Sequence, residues 1–433
     1  MKEEQEKKEN QEMSVKTFRG AAPLMQNIRY FIKWTFLSVL IGVVVGLIGA
    51  AFGHGVILAT KIWQSCHWTV FLMPVAGLVI IWLYRVGKAE KNRGTDLVLE
   101  SVSAHEEIPV ITAPLIFVSS ILSHVVSASA GREGAALQLG GSLGNLVGKV
   151  MRLDEKDRKI AIMCGMSACF SALFGTPLAA GIFSMEVVSI GIMYYAALVP
   201  CLFSSFIGAA IAGRLGLAAE HYEIGLVPAF DTQGAALTVL LGMLCAVVGI
   251  LLCQSMHQAS TWYRKYFKSS YLRILAGSGI YIVLTLIFSS RLYNGGGLHL
   301  IERCFEGEVV PYYAFLAKIL FTAVALGAGF KGGEIVPTLC VGATFGYTMA
   351  ALLGMPSGLC AAVGMVCLFV SVTNCPISTT FMAFELFGFE AMPFFALGIA
   401  ISFTLSGYYG LYHSQKFVYS KIRTEYIDRK SNE

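Results

Sequence analysis

Charged residues are scarce in this 433-residue sequence. Only 14% of its residues are Asp, Glu, Lys or Arg, whereas a soluble domain usually has about a quarter. None of these four residue types occurs in the 50 positions from Ile335 to Phe384, and other charge-free runs include Thr35–Thr60 and Thr232–Tyr263. Each run exceeds the roughly 18 apolar residues that indicate a membrane-spanning helix. The sequence therefore predicts an all-α polytopic membrane protein and excludes a β-barrel, whose strands are short and alternate in polarity.

Patterns typical of zinc sites and of many enzymes are also missing. The 11 cysteines are scattered without a Cys-x-x-Cys pair, and the eight histidines form no His-Glu-x-x-His pattern. The net charge of +5 is too small to indicate a nucleic-acid partner. No organic cofactor or metal ion is implied, and we do not expect an enzyme. A polytopic membrane transferase is a remote alternative, since it would need clustered acids, histidines or metal ligands at one membrane face.

The distribution of charge predicts three parts of the chain. These are a hydrophilic N-terminal tail over residues 1–27, a transmembrane domain over 28–420 and a short C-terminal tail over 421–433. Lys and Arg cluster in both tails and in Arg85–Arg93 and Arg152–Lys159. The positive-inside rule places these clusters in the cytoplasm, so we expect a multi-pass protein of the cell membrane with both termini cytoplasmic.

Two repeats are predicted within the transmembrane domain, one over about 30–214 and the other over about 232–420. In each repeat a proline opens an apolar helix and a glutamate follows nine residues later, as Pro177…Glu186 and Pro376…Glu385. Further upstream, Gly131-Arg-Glu133 has its counterpart about 200 residues later in Gly333-Glu334. Glycine-interrupted segments that correspond in this way are typical of inverted-topology transporter repeats whose broken helices meet at a mid-membrane site.

The segment around Glu133 has the properties of an anion site. An ionisable residue inside the membrane is costly and is therefore a functional candidate. A glycine-bounded break precedes a helix that starts near Glu133, and the free N–H groups of its first turn, together with the helix dipole, attract an anion. The same arrangement recurs at Gly327–Pro337. As a simpler alternative, Glu133 only caps its own helix while Arg132 pairs with an acid.

Several motifs, in this order, resemble the CLC family of chloride channels and halide/proton antiporters. They are Gly131-Arg-Glu-Gly134 with Leu137–Gly144, Thr176–Glu186, Gly333-Glu-Ile-Val-Pro337 and Tyr412-His-Ser-Gln415. The resemblance covers roughly residues 30–420, and the combination is specific. It implies a homodimer in the lipid bilayer with one pathway per subunit, carrying halide ions and protons.

The resemblance also implies roles for individual residues. Glu133 is expected to be the gating glutamate and proton acceptor, and the hydroxyl of Tyr412 to close the inner side of the anion site. Thr95 stands where the family usually has a serine. The expected anion-binding residues are Thr95, Arg132, Gly134, Ala135, Ile335, Val336 and Tyr412.

Departures from the usual family pattern bear on the substrate. Gly-Ser-Gly-Ile-Pro is absent, Ala135 replaces a proline, and Val187 stands where chloride antiporters have an inner proton-transfer glutamate. The run Gly329–Pro337 looks more like the fluoride/proton antiporter branch. We therefore predict fluoride (or chloride)/proton antiport gated by a glutamate. The alternative is a passive chloride channel of the voltage-gated type.

Three other acidic residues in or beside the apolar segments need an explanation. Glu186 and Glu385 occur in both repeats, and we expect them to fix helix ends or subunit contacts. Asp96 adjoins Thr95, where its charge would repel an anion unless it caps its own helix and points away.

Overall fold

The computed structural model describes residues 2–90, 93–104 and 106–432, and of residues 2–23 it describes only the helical backbone. Sixteen α-helices dominate this described part. In chain order they are α1 (Lys2–Ser65), α2 (Met73–Val86), α3 (Thr95–Ser103), α4 (Thr112–Val125), α5 (Glu133–Val150), α6 (Glu155–Phe174), α7 (Pro177–Glu186), α8 (Leu198–Arg214), α9 (Thr232–Tyr266), α10 (Ser270–Ile287), α11 (Leu298–Glu306), α12 (Ala314–Ala328), α13 (Ile335–Leu353), α14 (Ser357–Thr373), α15 (Pro376–Phe387) and α16 (Met392–Leu405). From Lys2 onward, the segment predicted as a hydrophilic tail is the beginning of α1.

Six helical stretches of the described chain are long and apolar enough to cross a membrane. They are Leu24–Ser65, His67–Val86, Tyr195–Arg214, Thr232–Tyr266, Ser270–Ile287 and Ile335–Leu353. Four shorter apolar helices, α4, α12, α14 and α16, accompany them. The prediction of an α-helical polytopic membrane protein is confirmed.

The helices repeat in order, with α1–α8 before the loop 215–231 and α9–α16 after it. Helix α9 corresponds to α1, α10 to α2, and so on up to α16, which corresponds to α8. Lengths agree closely in the middle of each repeat: α3 and α11 both have 9 residues, and α5 and α13 have 18 and 19. The spacing found in the sequence thus reflects a repeat of whole helices.

Helices α7 and α15 show how the repeated sequence produces repeated backbone. Proline is tolerated in the first turn of a helix, and it keeps the preceding residue out of the helical region. The preceding residues Thr176 and Cys375 both have φ −115° and ψ 76°, although their side chains differ. Proline therefore sets the same entry angle in both repeats.

An antiparallel contact relates the two repeats. Gly131 and Gly333 form an isolated bridge in which each N–H donates to the other's carbonyl at 2.6 Å. Each glycine lies two residues before its helix, α5 or α13, so the bridge places the two helix amino termini side by side. An exchange of identical bonds in opposite directions is what a two-fold axis between inverted repeats produces.

Glu186 and Glu385 repeat this exchange on a larger scale. Glu186, at the end of α7, accepts the backbone N–H groups of Ile377 and Ser378 in the first turn of α15, at 3.1 and 2.8 Å. Glu385, on α15, accepts the two corresponding N–H groups of α7 at 2.8 and 2.9 Å. Each glutamate thus satisfies the free amides of the opposite repeat. The prediction that these two residues fix helix ends is confirmed.

Close helix packing explains part of the high glycine content. Helices α5 and α6 touch at Gly140 and Gly165, and a Cβ atom added to Gly140 would lie 2.2 Å from the Gly165 carbonyl oxygen. Helices α13 and α14 touch in the same way at Gly342 and Gly364, where the distance would be 2.5 Å. Small residues at these points let the backbones approach, as is usual in membrane helix pairs.

A small sheet adds to the helical fold. β1 (Ser189–Ile190) pairs in parallel with β2 (Lys416–Tyr419), which pairs antiparallel with β3 (Tyr426–Lys430). Part of the segment predicted as a short C-terminal tail therefore packs back onto the chain. The apolar and aromatic residues of β3 favour a strand, but a run of five residues is too short to be recognised as a strand from the sequence.

Candidate anion and proton site

The amino terminus of α5 holds the carboxylate of Glu133. Glu133 is the first residue of the helix and is fully buried. Its Oε2 accepts the backbone N–H of Arg132 at 3.0 Å, and its Oε1 accepts the Arg132 Nε–H at 3.3 Å. A carboxylate bound to a backbone amide at a helix amino terminus lies where a free anion would bind. The carboxyl group of Glu133 thus lies at a position suited to an anion.

The amino terminus of α13 faces the same point from the other repeat. Ile335 and Val336 are its first two residues, and Pro337 follows, where a missing N–H costs nothing. A Cβ atom on Gly131 would lie 3.1 Å from the Val336 Cβ and 2.8 Å from Glu133 Oε2. The first turns of the two broken helices therefore border one small volume, and the first N–H groups of each helix have no partner within that helix.

A second buried carboxyl group belongs to Glu334, the residue before α13. Its Oε2 is buried and accepts no hydrogen bond from the described residues. A Cβ atom on Gly134 would lie 2.9 Å from this oxygen and 3.5 Å from the Thr95 hydroxyl. Glu334 thus lies beside the same first turn of α5 that carries Glu133.

Thr95 is the first residue of α3, after Gly94, whose φ of +68° a side chain would strain. The Thr95 hydroxyl donates to the Gly134 carbonyl at 3.4 Å. The amide of Gln138 joins the group, since its Nε2 donates to Thr95 Oγ1 and to the Gly134 carbonyl, both at 3.3 Å. These contacts place the Thr95 hydroxyl directly beside the amino terminus of α5.

Tyr412 lies on a loop between α16 and β2. Its side chain is 2% exposed, and its hydroxyl has no hydrogen-bond partner among the described residues. Two residues further on, Ser414 donates its N–H and its hydroxyl to Asp96 Oδ1 at 2.9 and 2.7 Å. Asp96 therefore points toward this loop, and the negative charge beside Thr95 is used to hold the loop that carries Tyr412.

A cavity of about 430 Å³ is bordered by Thr95, Glu334 and Tyr412. It lies where α2 and α9 finish, beside the basic segment 85–93. Its charged lining residues are Arg93, Arg264, Arg273 and Lys331, with Glu90, Asp96 and Glu334. Cations and acids are thus nearly balanced in the lining, with four of the former and three of the latter.

On the opposite side of Glu133 lies a polar cluster contributed by the loop between the repeats. The Arg132 guanidinium donates to Glu133 and also to Glu220, which in turn accepts the Tyr222 hydroxyl at 3.3 Å. Burial raises the pKa of the Tyr222 phenol, and the nearby Glu220 charge raises it further, so the phenol stays protonated. Arg132 is thus shared between Glu133 and an acid of the loop.

The structure brings together all the residues that the motifs predicted for the site. Glu133, Arg132 and Gly134 lie at the start of α5, with Ala135 next in the same turn, and the residues of α3, α13 and the Tyr412 loop surround them. Sequence reasoning missed Gln138 and Glu220 and gave Glu334 no role at the site. Gln138 could have been found, because it lies four residues after Gly134 on the same helix face. Glu220 lies in a polar loop without a motif.

Comparison with known proteins identifies the family. The family model described as voltage gated chloride channel matches residues 76–407, more than half of the chain. The chain belongs to the CLC family of voltage-gated chloride channels. A chloride/fluoride channel protein of Pseudomonas syringae pv. tomato is 34% identical over 400 residues, covering 90% of this chain and 88% of that protein.

Some other CLC proteins match at lower sequence identity. The H(+)/Cl(-) exchange transporter ClcA of Vibrio cholerae is 25% identical, with 81% of each chain covered. Among solved structures, that of a CLC-type fluoride/proton antiporter superposes with a TM-score of 0.86 at 29% identity, covering 89% of this chain and 98% of that one. A slow cyanobacterial Cl⁻/H⁺ antiporter, 18% identical, shares the fold with a TM-score of 0.74 over 86% of this chain and 94% of that one.

Val187, which follows Glu186, is fully buried in this CLC chain. Its carbonyl accepts the Gln415 amide at 3.1 Å, and the Gln415 amide also donates to the Thr373 carbonyl at 2.7 Å. The position therefore provides a backbone contact to the Tyr412 loop and no side chain that could carry a proton.

Proposed function

We propose that this CLC protein exchanges a halide, with fluoride as the main substrate, for protons across the cell membrane. One observation carries the proposal. The Glu133 carboxylate occupies the backbone N–H of Arg132 at the paired amino termini of α5 and α13, where a halide would bind. A protein group that competes with the transported anion and can take up a proton is the central part of an anion/proton exchanger.

The exchange follows from the two protonation states of Glu133. Ionised, its carboxylate fills the site and excludes the halide. Protonated, it loses its attraction for the N–H groups and for Arg132, moves away and carries a proton with it. The halide is then bound by N–H groups of α5 and α13 and by the Thr95 and Tyr412 hydroxyls. Anion and proton therefore alternate at one position.

Glu334 is proposed to accept the proton on the inner side. It borders both the first turn of α5 and the inner cavity, and its Oε2 has no hydrogen bond within the described chain. In this role it substitutes for the acid that chloride antiporters carry at the position of Val187. A proton passes from Glu133 to Glu334 and from there to the water of the cavity.

Fluoride is favoured over chloride by the nature of the donors. It is the most strongly hydrated halide, so a dry site needs short hydroxyl and N–H donors to replace its water. Thr95, Tyr412 and the first-turn amides are donors of this kind. The names of two relatives, a chloride/fluoride channel protein and a CLC-type fluoride/proton antiporter, support the same choice.

The alternative is a passive chloride channel of the voltage-gated type, with the same fold and no proton movement. The buried carboxyl groups of Glu133 and Glu334 lie at one site, and they favour the antiporter because a passive channel needs no second proton acceptor. The family match and the similar antiporter structure support a transporter without enzymatic activity rather than a membrane transferase.

The proposed orientation puts the basic side of the molecule in the cytoplasm. Lys33, near the start of the first spanning stretch, pairs with Asp157 in one basic cluster of the chain, and the Tyr412 loop borders the same cavity as Arg93 of another. Both tails, 1–27 and 421–433, are then cytoplasmic, and the transmembrane domain covers about 28–420. A homodimer with one pathway per subunit is part of the proposal.

Flux from proteoliposomes, recorded with fluoride, chloride and pH electrodes together, tests the function. Outward movement of fluoride should drive protons inward in a constant ratio, and chloride should move more slowly. Chloride efflux without proton movement would instead support the passive channel. Cross-linking of the protein in the same liposomes tests the homodimer.

A further inference from the structure

We propose that the segment of residues 421–432 positions Tyr412, so that Lys421, Ser431 and Asn432 are positioning residues of the inner side of the anion site. This inference rests on the proposed role of Tyr412 in halide/proton exchange. In the sequence the segment has the appearance of a solvated tail. In the structure it folds back as β3 and contacts both ends of the loop Gly410–Gln415.

Asn432 holds the first end of the Tyr412 loop. Its side-chain Nδ2 donates to the Gly410 carbonyl at 3.0 Å, and its Oδ1 accepts the Gly410 N–H at 3.2 Å. Its own backbone N–H donates to the Tyr408 carbonyl at 2.9 Å. Asn432 has a φ of +67°, a conformation that asparagine tolerates better than most residues. The residue thus binds both polar groups of Gly410, two positions before Tyr412.

Ser431 holds the second end of the loop. Its backbone N–H donates to the Gln415 carbonyl at 2.9 Å. The Gln415 side chain continues the connection, since it donates to carbonyls beyond α7 and at the end of α14. Two adjacent residues, Ser431 and Asn432, therefore contact the loop on each side of Tyr412.

Lys421 fixes the turn that leads into β3. Its Nζ donates to the Phe403 carbonyl at 2.8 Å, to Ser406 Oγ at 3.1 Å and to Asn374 Oδ1 at 2.5 Å. It also lies 4.2 Å from the centroid of the Phe403 ring, within cation–π distance. These contacts attach the segment to the ends of α14 and α16, so it cannot move independently of the membrane helices.

Tyr412 depends on these contacts because its own hydroxyl makes no hydrogen bond to the described residues. Its hydroxyl position is therefore set by the backbone of the loop. Elsewhere the loop is held by the two bonds that Ser414 donates to Asp96 and by the Leu411 N–H, which donates to the Val372 carbonyl at 2.9 Å. Loss of the Asn432 contacts would let the loop move, widen the inner entrance and weaken the coupling of halide to protons.

The test compares Asn432→Ala and Lys421→Met with Arg423→Met, which removes a cation from an exposed position of the same turn. Hydrogen–deuterium exchange of the full-length protein in nanodiscs measures the loop directly. We expect the amides of residues 409–415 to exchange about tenfold faster or more in the first two variants, since each loses two or more hydrogen bonds. Arg423→Met should exchange like the wild type.

Transport then connects the loop with Tyr412. The ratio of protons to fluoride should fall at least twofold in Asn432→Ala and stay at the wild-type value in Arg423→Met. In a Tyr412→Phe background, Asn432→Ala should cause little further loss, because it acts through the hydroxyl of Tyr412. A general loss of stability would instead add to the effect of Tyr412→Phe.

Two results would overturn the inference. One is wild-type exchange of residues 409–415 in both Asn432→Ala and Lys421→Met. The other is faster exchange with an unchanged ratio of protons to fluoride. If the wild-type protein carried no protons at all, the proposed function would fail, whereas the exchange experiment would still show whether the segment holds the loop. Gel filtration shows whether Asn432→Ala or Lys421→Met fails to fold. If one of them does, the exchange and transport of the other variant test the inference.

Discussion

Each repeat contributes one glutamate to each of two pairs, and only one pair is equivalent in position. Glu133 is the first residue of α5, whereas Glu334 is the residue before α13. Glu186 and Glu385 have equivalent partners, since each accepts two N–H groups from the first turn of the opposite helix. Glu133 and Glu334 have no such equivalence. Glu133 binds the N–H and the guanidinium of Arg132, whereas Glu334 leaves one oxygen without a hydrogen bond from the described chain.

The difference teaches which acids serve the fold and which serve transport. A structural role common to both repeats keeps both members of a pair in the same environment. A transport site needs different groups toward its two sides, so the repeats depart from one another there. Thr95 shows the same departure, because its counterpart at the start of α11 is the apolar Leu298. Function thus lies where the symmetry between the repeats is lost.

The largest effect is expected for Glu133→Gln. Glutamine keeps the volume and the hydrogen-bonding capacity of the side chain but cannot carry a proton. Proton movement driven by a fluoride gradient should fall to the background of empty liposomes, with fluoride either leaking passively or blocked. Glu186→Gln is the matched control, and it should keep the wild-type ratio of protons to fluoride. An equal loss of proton movement in Glu133→Gln and Glu186→Gln would contradict the distinction between transport glutamates and structural glutamates.

Glu334→Gln should have the next largest effect. If Glu334 relays protons on the inner side, proton flux should fall by about tenfold or more, since water must then replace a positioned proton acceptor. Fluoride movement should fall less, because the amide still leaves the halide site open. Glu385→Gln in the same repeat is the control. Unchanged proton flux in Glu334→Gln would leave Glu133 as the only proton carrier of the site.

Thr95→Val should change selectivity. Valine keeps the shape of threonine and removes one hydroxyl donor beside the first turn of α5. The loss of one hydrogen bond corresponds to about 1 kcal/mol, so fluoride flux should fall about fivefold, and chloride flux should fall less because chloride is less strongly hydrated. Both fluxes are recorded by electrode in the same liposomes. Equal losses would show that the Thr95 hydroxyl does not select between the halides.

The smallest effect on transport is expected for Glu186→Gln and Glu385→Gln. Each removes a carboxylate that accepts two N–H groups, buried at Glu186 and half-buried at Glu385, so each should destabilise the protein by about 2 kcal/mol. The two losses should be similar, because the contacts are equivalent. Thermal unfolding in detergent measures the stability, and flux per folded protein measures transport. Strongly unequal losses of stability would contradict the symmetric role.

Much of the fold could be predicted from the sequence. Charge-free runs indicate membrane helices because a charge in the hydrocarbon layer is costly, and the doubled Pro…Glu spacing indicates the repeat. Glu133 and Tyr412 could be named because each lies in a motif that resembles the CLC family. The partners of Glu186 and Glu385 could not be named, since each contact joins residues about 200 positions apart.

The missed parts of the site are those without local sequence signals. Glu220 reaches Arg132 from a loop whose path depends on the packing of both repeats. The segment 421–432 has the polarity of a solvated tail, and only its contacts with the Tyr412 loop show that it is structured. A cap of its own helix was the one arrangement that the sequence suggested for keeping the charge of Asp96 away from an anion, but Asp96 accepts two bonds from Ser414. Tertiary contacts decide such cases.

The reversal potential of purified protein in a planar bilayer tests the central claim most directly. With a fixed fluoride gradient, the voltage of zero current is measured while the pH on one side is changed. Coupled exchange predicts that this voltage shifts with the pH gradient in the wild type and no longer shifts in Glu133→Gln. A wild-type reversal potential that follows the fluoride gradient alone, at every pH, would contradict the account, because the protein would then conduct fluoride without protons.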